Sequence, residues 1–189
     1  TAHVMYDGHY YVKPVAGTQI LGEVLNPYFN RTPEHFSSHC QTPPDKPSGF
    51  PSVTKNGNVV YIASPVFRAY RAHGYVVYRQ LVENLINLLI PKKLIKADLP
   101  STCRVTVMEQ KDRRIVHLVN YVPERRTKDL DLLEDVPVLY NVELSVLKSR
   151  PFKRIYSASD MKPVEFIERN GYITCRIPEV RGHYMLVLA

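Results

Sequence analysis

The densest group of side chains that could do chemistry lies between Asn26 and Cys40, in the segment NPYFNRTPEHFSSHC. Its aromatic rings offer flat apolar faces, and its amide, guanidinium and imidazole groups offer hydrogen bonds beside them. A sugar could use this combination, because it presents apolar C–H faces and a rim of hydroxyl groups. The alternative is a loop whose rings cover a sheet edge and whose polar groups bond the nearby backbone. The candidates for contact with a sugar substrate or a neighbouring subunit are Tyr28, Asn30, Arg31, His35 and His39.

Two imidazoles of this segment, His35 and His39, are four residues apart and would share one face of a helix, as zinc ligands can. Prolines bracket the segment on both sides, and no third ligand follows at a suitable spacing. We therefore predict no metal site. Cys40 adjoins His39, but a thiol nucleophile needs a base placed through space, which adjacency in sequence does not supply.

Common enzyme motifs are absent from the sequence. It contains no G-x-S-x-G elbow, no G-x-x-x-x-G-K-[ST] phosphate loop, no H-E-x-x-H helix and no G-x-G-x-x-G turn. A glycosidase needs two carboxyl groups roughly 5 to 9.5 Å apart, and spacing along this chain nominates no such pair. We expect no catalytic residue and no cofactor in this chain.

The charge and composition exclude several kinds of partner. The net charge is +7, but acidic and basic residues are mixed along the whole chain, so we expect no nucleic-acid partner. No apolar run approaches the roughly 20 residues that span a membrane, and no signal peptide precedes the fold. Three distant cysteines form no disulfide framework. The compartment stays open between cytoplasm and periplasm or secretion, and we expect from the first residue, Thr1, a protein that is either processed or shortened.

The elements around the candidate segment are strands followed by a helix. Asn56-Gly57 predicts a tight hairpin turn, and the apolar run Val59–Ala63 is typical of a strand buried on both faces. An apolar stripe at three- and four-residue spacing predicts the helix, which Pro91 ends. Residues 30–51 are predicted to form a long loop. The predicted strands are 19–25, 52–55 and 58–63, and the predicted helix is 75–90.

After Pro100 the pattern changes to the two-residue period of strands. Asn170-Gly171 predicts a second tight hairpin. The charged stretch Pro123–Asp135 is interpreted as a solvated connection, whose leucines could anchor it on a neighbouring domain or subunit. Short strands separated by turn signals favour a small antiparallel sandwich. The predicted strands are 104–110, 114–122, 140–148, 164–168, 172–177 and 182–188.

Several long phrases of the sequence carry a resemblance to a known family. The phrases are YVKPVAGTQILGEVLNPYFNRTPEHFSSHCQTPP (11–44), NGNVVYIASPVFRAYRAHGYVVYRQLVENLINLLIP (56–91), RRIVHLVNYVPERR (113–126), EDVPVLYNVELSV (134–146) and IPEVRGHYMLVL (177–188). With these phrases in this order, the chain resembles the C-terminal region of large bacterial glycoside hydrolases with a β-galactosidase trimerisation-type domain, often named as α-L-fucosidases or glycosyl hydrolases.

The resemblance implies a fold and a division into domains. Members of the family have an N-terminal (β/α)₈ barrel with the catalytic carboxylates, an α/β domain and a C-terminal β-sandwich. We therefore expect residues 1–97 to be the C-terminal half of a class I glutamine amidotransferase-like α/β domain, and residues 98–189 to be a small antiparallel β-sandwich. The barrel has no counterpart in this sequence, so the resemblance carries no catalytic residue to it.

These expectations lead to one main hypothesis and two alternatives. The chain would be a non-catalytic accessory and oligomerisation region of a glycoside hydrolase, in contact with the catalytic barrel of its parent chain, in a homo-oligomer. One alternative is a stand-alone carbohydrate-binding sandwich with an aromatic face, although the sequence has no Trp. The other is an amidotransferase-like hydrolase using Cys40. The aromatic face would draw on Tyr121, Tyr140, Tyr156 and Tyr172.

Overall fold

The computed structural model describes residues 2–189, in which the chain divides into two compact units. The first ends at Pro91 and the second spans Lys92–Ala189. The segment Ile95–Ala97, which the sequence assigns to the first domain, is a strand that pairs within the second unit.

The first unit contains a three-stranded antiparallel sheet. Its strands are β1 (Gln19–Pro27), β2 (Pro44–Asn56) and β3 (Val59–Ile62), paired in that order. The hairpin predicted at Asn56-Gly57 is confirmed: Asn56 pairs with Val59, and Gly57 has a φ of 55°, which glycine adopts without steric cost. The loop predicted over 30–51 is too long, because β2 already begins at Pro44.

Prolines shape the pairing of β1 with β2. Pro44, Pro47 and Pro51 all lie opposite residues of β1. Because proline has no N–H to donate to the ladder, this pairing is interrupted by four register shifts. The same proline content made the segment resemble a loop in the sequence.

Two helices follow the sheet. They are α1 (Val66–His73) and α2 (Val76–Leu89), and Gly74 ends α1 with a left-handed φ of 62°. The helix predicted over 75–90 is confirmed by α2. The sequence did not predict α1, because an eight-residue helix with buried residues only at Val66 and Ala69 has too short an apolar repeat to be recognised.

The core of the first unit is small. Val66, Ala69 and Tyr78 form its cluster of buried residues. The Tyr78 hydroxyl lies among them and donates a hydrogen bond to the Val4 carbonyl at 2.8 Å, so the N-terminal segment is held against α2. Burial raises the pKa of Tyr78 above its usual value, which keeps this hydroxyl protonated as a donor.

The expected amidotransferase-like α/β domain is wrong. Every strand pairing among residues 2–189 is antiparallel, and α1 and α2 are short. The apolar strand β3 is exposed on alternate residues, with Val59 67% and Tyr61 47% exposed, rather than buried on both faces. An apolar run before an amphipathic helix resembles a βα unit in sequence, but strand direction depends on pairing that periodicity does not encode.

The second unit is an antiparallel β-sandwich, as its half of the sequence predicted. One sheet has the order β10-β13-β6-β5 and the other the order β11-β12-β9-β4, while β7 and β8 form a separate pair. The strands are β4 (Ile95–Ala97), β5 (Cys103–Glu109), β6 (Arg114–Asn120), β7 (Glu124–Arg125), β8 (Asp131–Leu132), β9 (Val138–Leu147), β10 (Ile155–Ser157), β11 (Phe166–Arg169), β12 (Tyr172–Arg181) and β13 (His183–Leu188).

Alternating residues of both sheets build the core of the sandwich. Each strand turns every second side chain inward, and both sheets contribute to one cluster of twelve buried residues. The hairpin predicted at Asn170-Gly171 is confirmed between β11 and β12, with φ values of 51° and 78°. The buried members are Val116, Leu118, Val142, Leu144, Val146, Ile155, Ile173, Cys175, Ile177, Val180, Leu186 and Leu188.

The charged connection Pro123–Asp135 is a surface hairpin. Its strands β7 and β8 are two residues each, and the Arg126 guanidinium forms an ion pair with Glu134 at 2.7 Å. Leu130 and Leu133 are 47% and 49% exposed within the described chain. This exposure agrees with a solvated connection, and anchoring of the leucines on a neighbouring domain or subunit stays a prediction.

Candidate functional site

The predicted contact residues lie in the loop that joins β1 to β2, residues 28–43, which we call the β1–β2 loop. Its two ends are tied together, since the Tyr28 N–H donates to the Pro43 carbonyl at 2.8 Å. The Thr42 hydroxyl donates to the Phe29 carbonyl at 3.0 Å. The loop is thus closed at its base by the antiparallel pair of strands that carries it.

A tight turn organises the middle of the β1–β2 loop. The backbone N–H of Thr32 donates to the His35 carbonyl, and the His35 N–H bonds the carbonyl and the hydroxyl of Thr32. The turn lays the His35 imidazole on the Phe29 ring, with centroids 3.9 Å apart and planes 8° from parallel. Tyr28 meets Phe29 edge to face at 6.2 Å. Three rings therefore form one aromatic group.

The other three candidates, Asn30, Arg31 and His39, lie outside this aromatic group. Asn30, Arg31 and His39 are exposed, and the Tyr28 side chain is 69% exposed. Within residues 2–189, no carboxylate lies within ion-pair distance of Arg31. The loop can therefore present a free cation beside exposed aromatic faces. Contact of these side chains with a sugar or a subunit stays a prediction.

The cysteines show no environment of an activated nucleophile. Cys40 is an exposed free thiol, Cys103 is half-buried and Cys175 is buried. Desolvation raises the pKa of Cys103 above its usual value and that of Cys175 to about 11. Both of these thiols therefore stay protonated, and unreactive, at neutral pH.

Within residues 2–189 no three side chains of the His, Cys, Asp and Glu types are grouped to hold a metal ion. Neither α1 nor α2 is long and apolar enough to cross a membrane.

A groove that the sequence did not predict lies on the second unit, on the sheet formed by β11, β12, β9 and β4. The Ser145 and Thr174 hydroxyls bond each other at 2.8 Å, and the Lys96 ammonium lies 4.0 Å from the centre of the Tyr172 ring. The groove has a volume of about 170 Å³, and its lining comprises Lys96, Glu143, Ser145, Ile167, Arg169, Asn170, Tyr172 and Thr174.

The four tyrosines of the carbohydrate-binding alternative do not form an aromatic face. Tyr156 and Tyr172 are buried, and a cation lies over each ring, from Arg154 and Lys96 respectively. Tyr140 is 63% exposed, and Tyr121 is half-buried with the Arg104 guanidinium 6.0 Å from its ring centre.

Comparison with known proteins places this arrangement in context. No protein-family model matches the chain, and no curated protein matches it. Among solved structures, the chain is similar over 100% of its length to "Alpha-L-fucosidase isoenzyme 2 from Paenibacillus thiaminolyticus", with a TM-score of 0.88 and 28% identity. The chain is similar to part of a glycoside hydrolase.

The similarity covers 29% of the length of that fucosidase. A cycloisomaltooligosaccharide glucanotransferase from Paenibacillus sp., bound to cycloisomaltoheptaose, matches 50% of this chain and 16% of its own, at 16% identity and a TM-score of 0.40. That second likeness is too weak to carry an argument. The first supports the predicted relation to glycoside hydrolases, whereas it gives no support to the trimerisation and amidotransferase-like features of the resemblance.

Proposed function

We propose that this chain is a non-catalytic accessory region of a carbohydrate-degrading glycoside hydrolase. The observation that carries the proposal is the likeness over the full chain, at a TM-score of 0.88, to 29% of an α-L-fucosidase. The absence of a nominated nucleophile or carboxylate pair in the sequence fits the same role. Catalysis would reside in another part of the parent enzyme, for which a barrel domain is the expectation.

The surface of the first unit supports a role in packing against another body. Within residues 2–91, seven hydrophobic residues are buried, whereas seventeen large hydrophobic residues are exposed. An excess of exposed large apolar side chains over buried ones is typical of a surface that a partner covers. Phe67 is 72% exposed beside a groove of about 420 Å³ whose lining includes Tyr61 and Pro65. We assign this surface to contact with the catalytic part of the parent chain, or with a second subunit in a homo-oligomer.

The β1–β2 loop would border the cleft of the parent enzyme. The free cation of Arg31 and the exposed ring of Tyr28 are suited to the hydroxyls and the apolar face of a sugar. His35 would hold the Tyr28 ring in place by stacking on Phe29, and Asn30 and His39 would add hydrogen bonds to the sugar.

The proposal is tested by assaying the 189-residue chain on a panel of 4-nitrophenyl glycosides that includes the α-L-fucoside. We expect no release of 4-nitrophenol above the buffer rate at any pH between 5 and 8. Turnover that persists through purification, and that is lost when the chain is unfolded in urea, would contradict a non-catalytic role.

A stand-alone carbohydrate-binding sandwich is the second candidate function. The groove on the second unit favours it, because the paired hydroxyls of Ser145 and Thr174 lie next to charged groups that can bond a sugar. Retardation of the chain in native gels that contain polysaccharide tests it. Retardation that Thr174→Val removes would support this function, and equal migration of both proteins with and without polysaccharide would reject it.

A further inference from the structure

The outer face of the sheet formed by β10, β13, β6 and β5 carries two histidines from neighbouring strands. Nδ1 of His117, on β6, lies 3.0 Å from Nε2 of His183, on β13. The ring planes are 5° from parallel, but the centroids are 5.2 Å apart. Because the nitrogens are much closer than the ring centres, the imidazoles meet edge to edge through these two atoms. One N–H donates to the other nitrogen, and the tautomer decides which.

A thioether sulfur, which is a further possible metal ligand, lies on the same face of the sheet. Met185 follows His183 by two residues on β13, so both side chains lie on one side of the sheet. Met185 is also the register partner of His117 on β6. The three residues are exposed or half-buried. Two imidazoles and a thioether are thus brought together at a surface that an ion can reach.

We infer that His117 and His183, assisted by Met185, form a binding site for a transition-metal ion of the Cu²⁺ class. Two nitrogens that each bind one ion at about 2.0 Å are about 2.9 Å apart at a right angle and about 3.3 Å apart at a tetrahedral angle. The 3.0 Å separation lies within this range. The exposed ring of His183 turns so that one lone pair of each ring points to the ion. The proton shared by the two facing nitrogens moves to the outer nitrogen of the ring that held it, so both imidazoles bind as neutral ligands.

The choice of metal follows from the donor set. Imidazole and thioether donors suit copper, and Cu²⁺ is the tightest-binding divalent ion of its row for such ligands. The cross-strand neighbours of the pair are Thr106, Val119 and Met185, so the site supplies no carboxylate from these positions. Hard ions such as Mg²⁺ prefer oxygen ligands. We expect the order of affinity Cu²⁺ above Zn²⁺, with no binding of Mg²⁺.

The 189-residue chain carrying His3→Ala, which removes the imidazole that follows Thr1-Ala2, should serve as the reference protein. It should be titrated with Cu²⁺ in a non-coordinating buffer and observed by calorimetry and electron paramagnetic resonance. We expect one ion per chain with two imidazole nitrogens coupled to the copper spin. His183→Ala should weaken binding about a hundredfold, because the second ligand of a chelate acts at high effective concentration. His39→Ala, which removes an exposed imidazole from the β1–β2 loop, should leave the affinity unchanged.

His117→Asn provides a second variant that keeps a polar side chain at the half-buried position, and its fold is checked by circular dichroism. It should reduce the number of coupled nitrogens from two to one. Equal Cu²⁺ affinity in the reference protein and its His183→Ala variant would overturn the proposal. A spectrum of the reference protein with one coupled nitrogen, or greater weakening by His39→Ala than by His183→Ala, would overturn it as well. None of these outcomes depends on glycoside hydrolysis, so the proposed function can fail separately.

Discussion

Arg114, the first residue of β6, joins the ends of two other strands through its side chain. Its side chain is 6% exposed and forms an ion pair with Glu109. The guanidinium also donates to the Leu147 carbonyl at 2.6 Å and to the Ser149 hydroxyl at 2.9 Å. These bonds link β5, β6 and the end of β9 across the two sheets of the sandwich.

Removing that guanidinium should destabilise the second unit. Arg114→Ala leaves the Leu147 carbonyl without its partner, which costs about 2 kcal/mol of unfolding free energy. Arg176→Ala, at an exposed position of β12, is the matched control and should change stability by less than about 0.5 kcal/mol. Urea unfolding followed by circular dichroism measures the free energy of unfolding of both variants. Equal losses would show that the buried hydrogen bonds of Arg114 do not stabilise the second unit.

The three thiols should differ in reactivity because they differ in burial. Cys40 is exposed, and Cys175 is 3% exposed with a pKa of about 11. At pH 8 about one Cys175 in a thousand is a thiolate, and thiolate is the reactive form. Iodoacetamide should therefore label Cys40 within minutes and Cys175 after unfolding, as peptide mass spectrometry can show. Early labelling of Cys175 would contradict the described core.

The same shift in the pKa of Cys175 predicts how stability depends on pH. The folded state holds this proton more tightly than the unfolded state, whose thiol has a pKa near 9.0. Above about pH 9 the unfolded state binds fewer protons, so stability falls as pH rises from about 9 to 11. Cys175→Ala should flatten that part of the curve measured in urea. An unchanged slope would show that other groups cause it.

The exposed loop residues should matter to the parent enzyme and not to folding. In the intact protein that contains this chain, Tyr28→Ala and Arg31→Ala should each lower kcat/KM about tenfold, the loss expected when a contact worth about 1.4 kcal/mol disappears. Lys13→Ala, at another exposed position of the first unit, is the control. Unchanged kinetics in both loop variants would reject the predicted contact.

At the scale of elements, turn chemistry was the most reliable guide. Asn56-Gly57 and Asn170-Gly171 both predicted the hairpins that the structure contains, because a tight turn needs positive φ and these residues accept it. The alternation of apolar and polar residues likewise predicted strands β5, β6, β9 and β12. The predicted ends of these strands differ from the observed ends by four residues or fewer.

The sequence pattern could not show which strands pair with each other or in which direction. The run Val59–Ala63 and the helix after it are compatible with either a parallel or an antiparallel sheet, and the antiparallel arrangement is the observed one. Because of the prolines in β2, its residues 44–51 were predicted to be part of a loop. His117 and His183 were each on a predicted strand, but sixty-six residues separate them, and their contact depends on the pairing of β6 with β13.

The second hairpin offers a direct test of turn geometry. Gly171 has a φ of 78°, so Gly171→Ala places a side chain in the left-handed region and should cost about 1 kcal/mol of unfolding free energy. Asn170→Gly, at the neighbouring φ of 51°, relaxes the same turn and should leave stability within about 0.5 kcal/mol. Equal destabilisation by both changes would contradict the assigned turn.

At the scale of the whole molecule, the two units differ in how fully they bury their apolar residues. Sixteen hydrophobic residues are buried in the second unit, against seven in the first. The sandwich thus has the larger core, whereas the first unit leaves much of its apolar surface exposed.

That surface should be detectable on the 189-residue chain. Val59→Lys with Phe67→Lys, at side chains 67% and 72% exposed, should sharply reduce the fluorescence of bound anilinonaphthalene sulfonate. Ile167→Lys, at a 61% exposed side chain of the second unit, should reduce it far less. The thermal midpoints should stay close to the wild type, since none of the three residues is buried. Equal dye binding in all proteins would contradict a concentrated apolar surface on the first unit.

The central claim is that this chain belongs to a longer glycoside hydrolase and supplies no catalytic group. The most direct measurement isolates the natural polypeptide with an antibody raised against this chain, determines its mass and assays its hydrolysis of 4-nitrophenyl α-L-fucoside and related glycosides. We predict a polypeptide several times heavier than 21.8 kDa that hydrolyses a glycoside which the 189-residue chain leaves intact. A natural polypeptide of about that mass, or one of any length without glycosidase activity, would contradict the account.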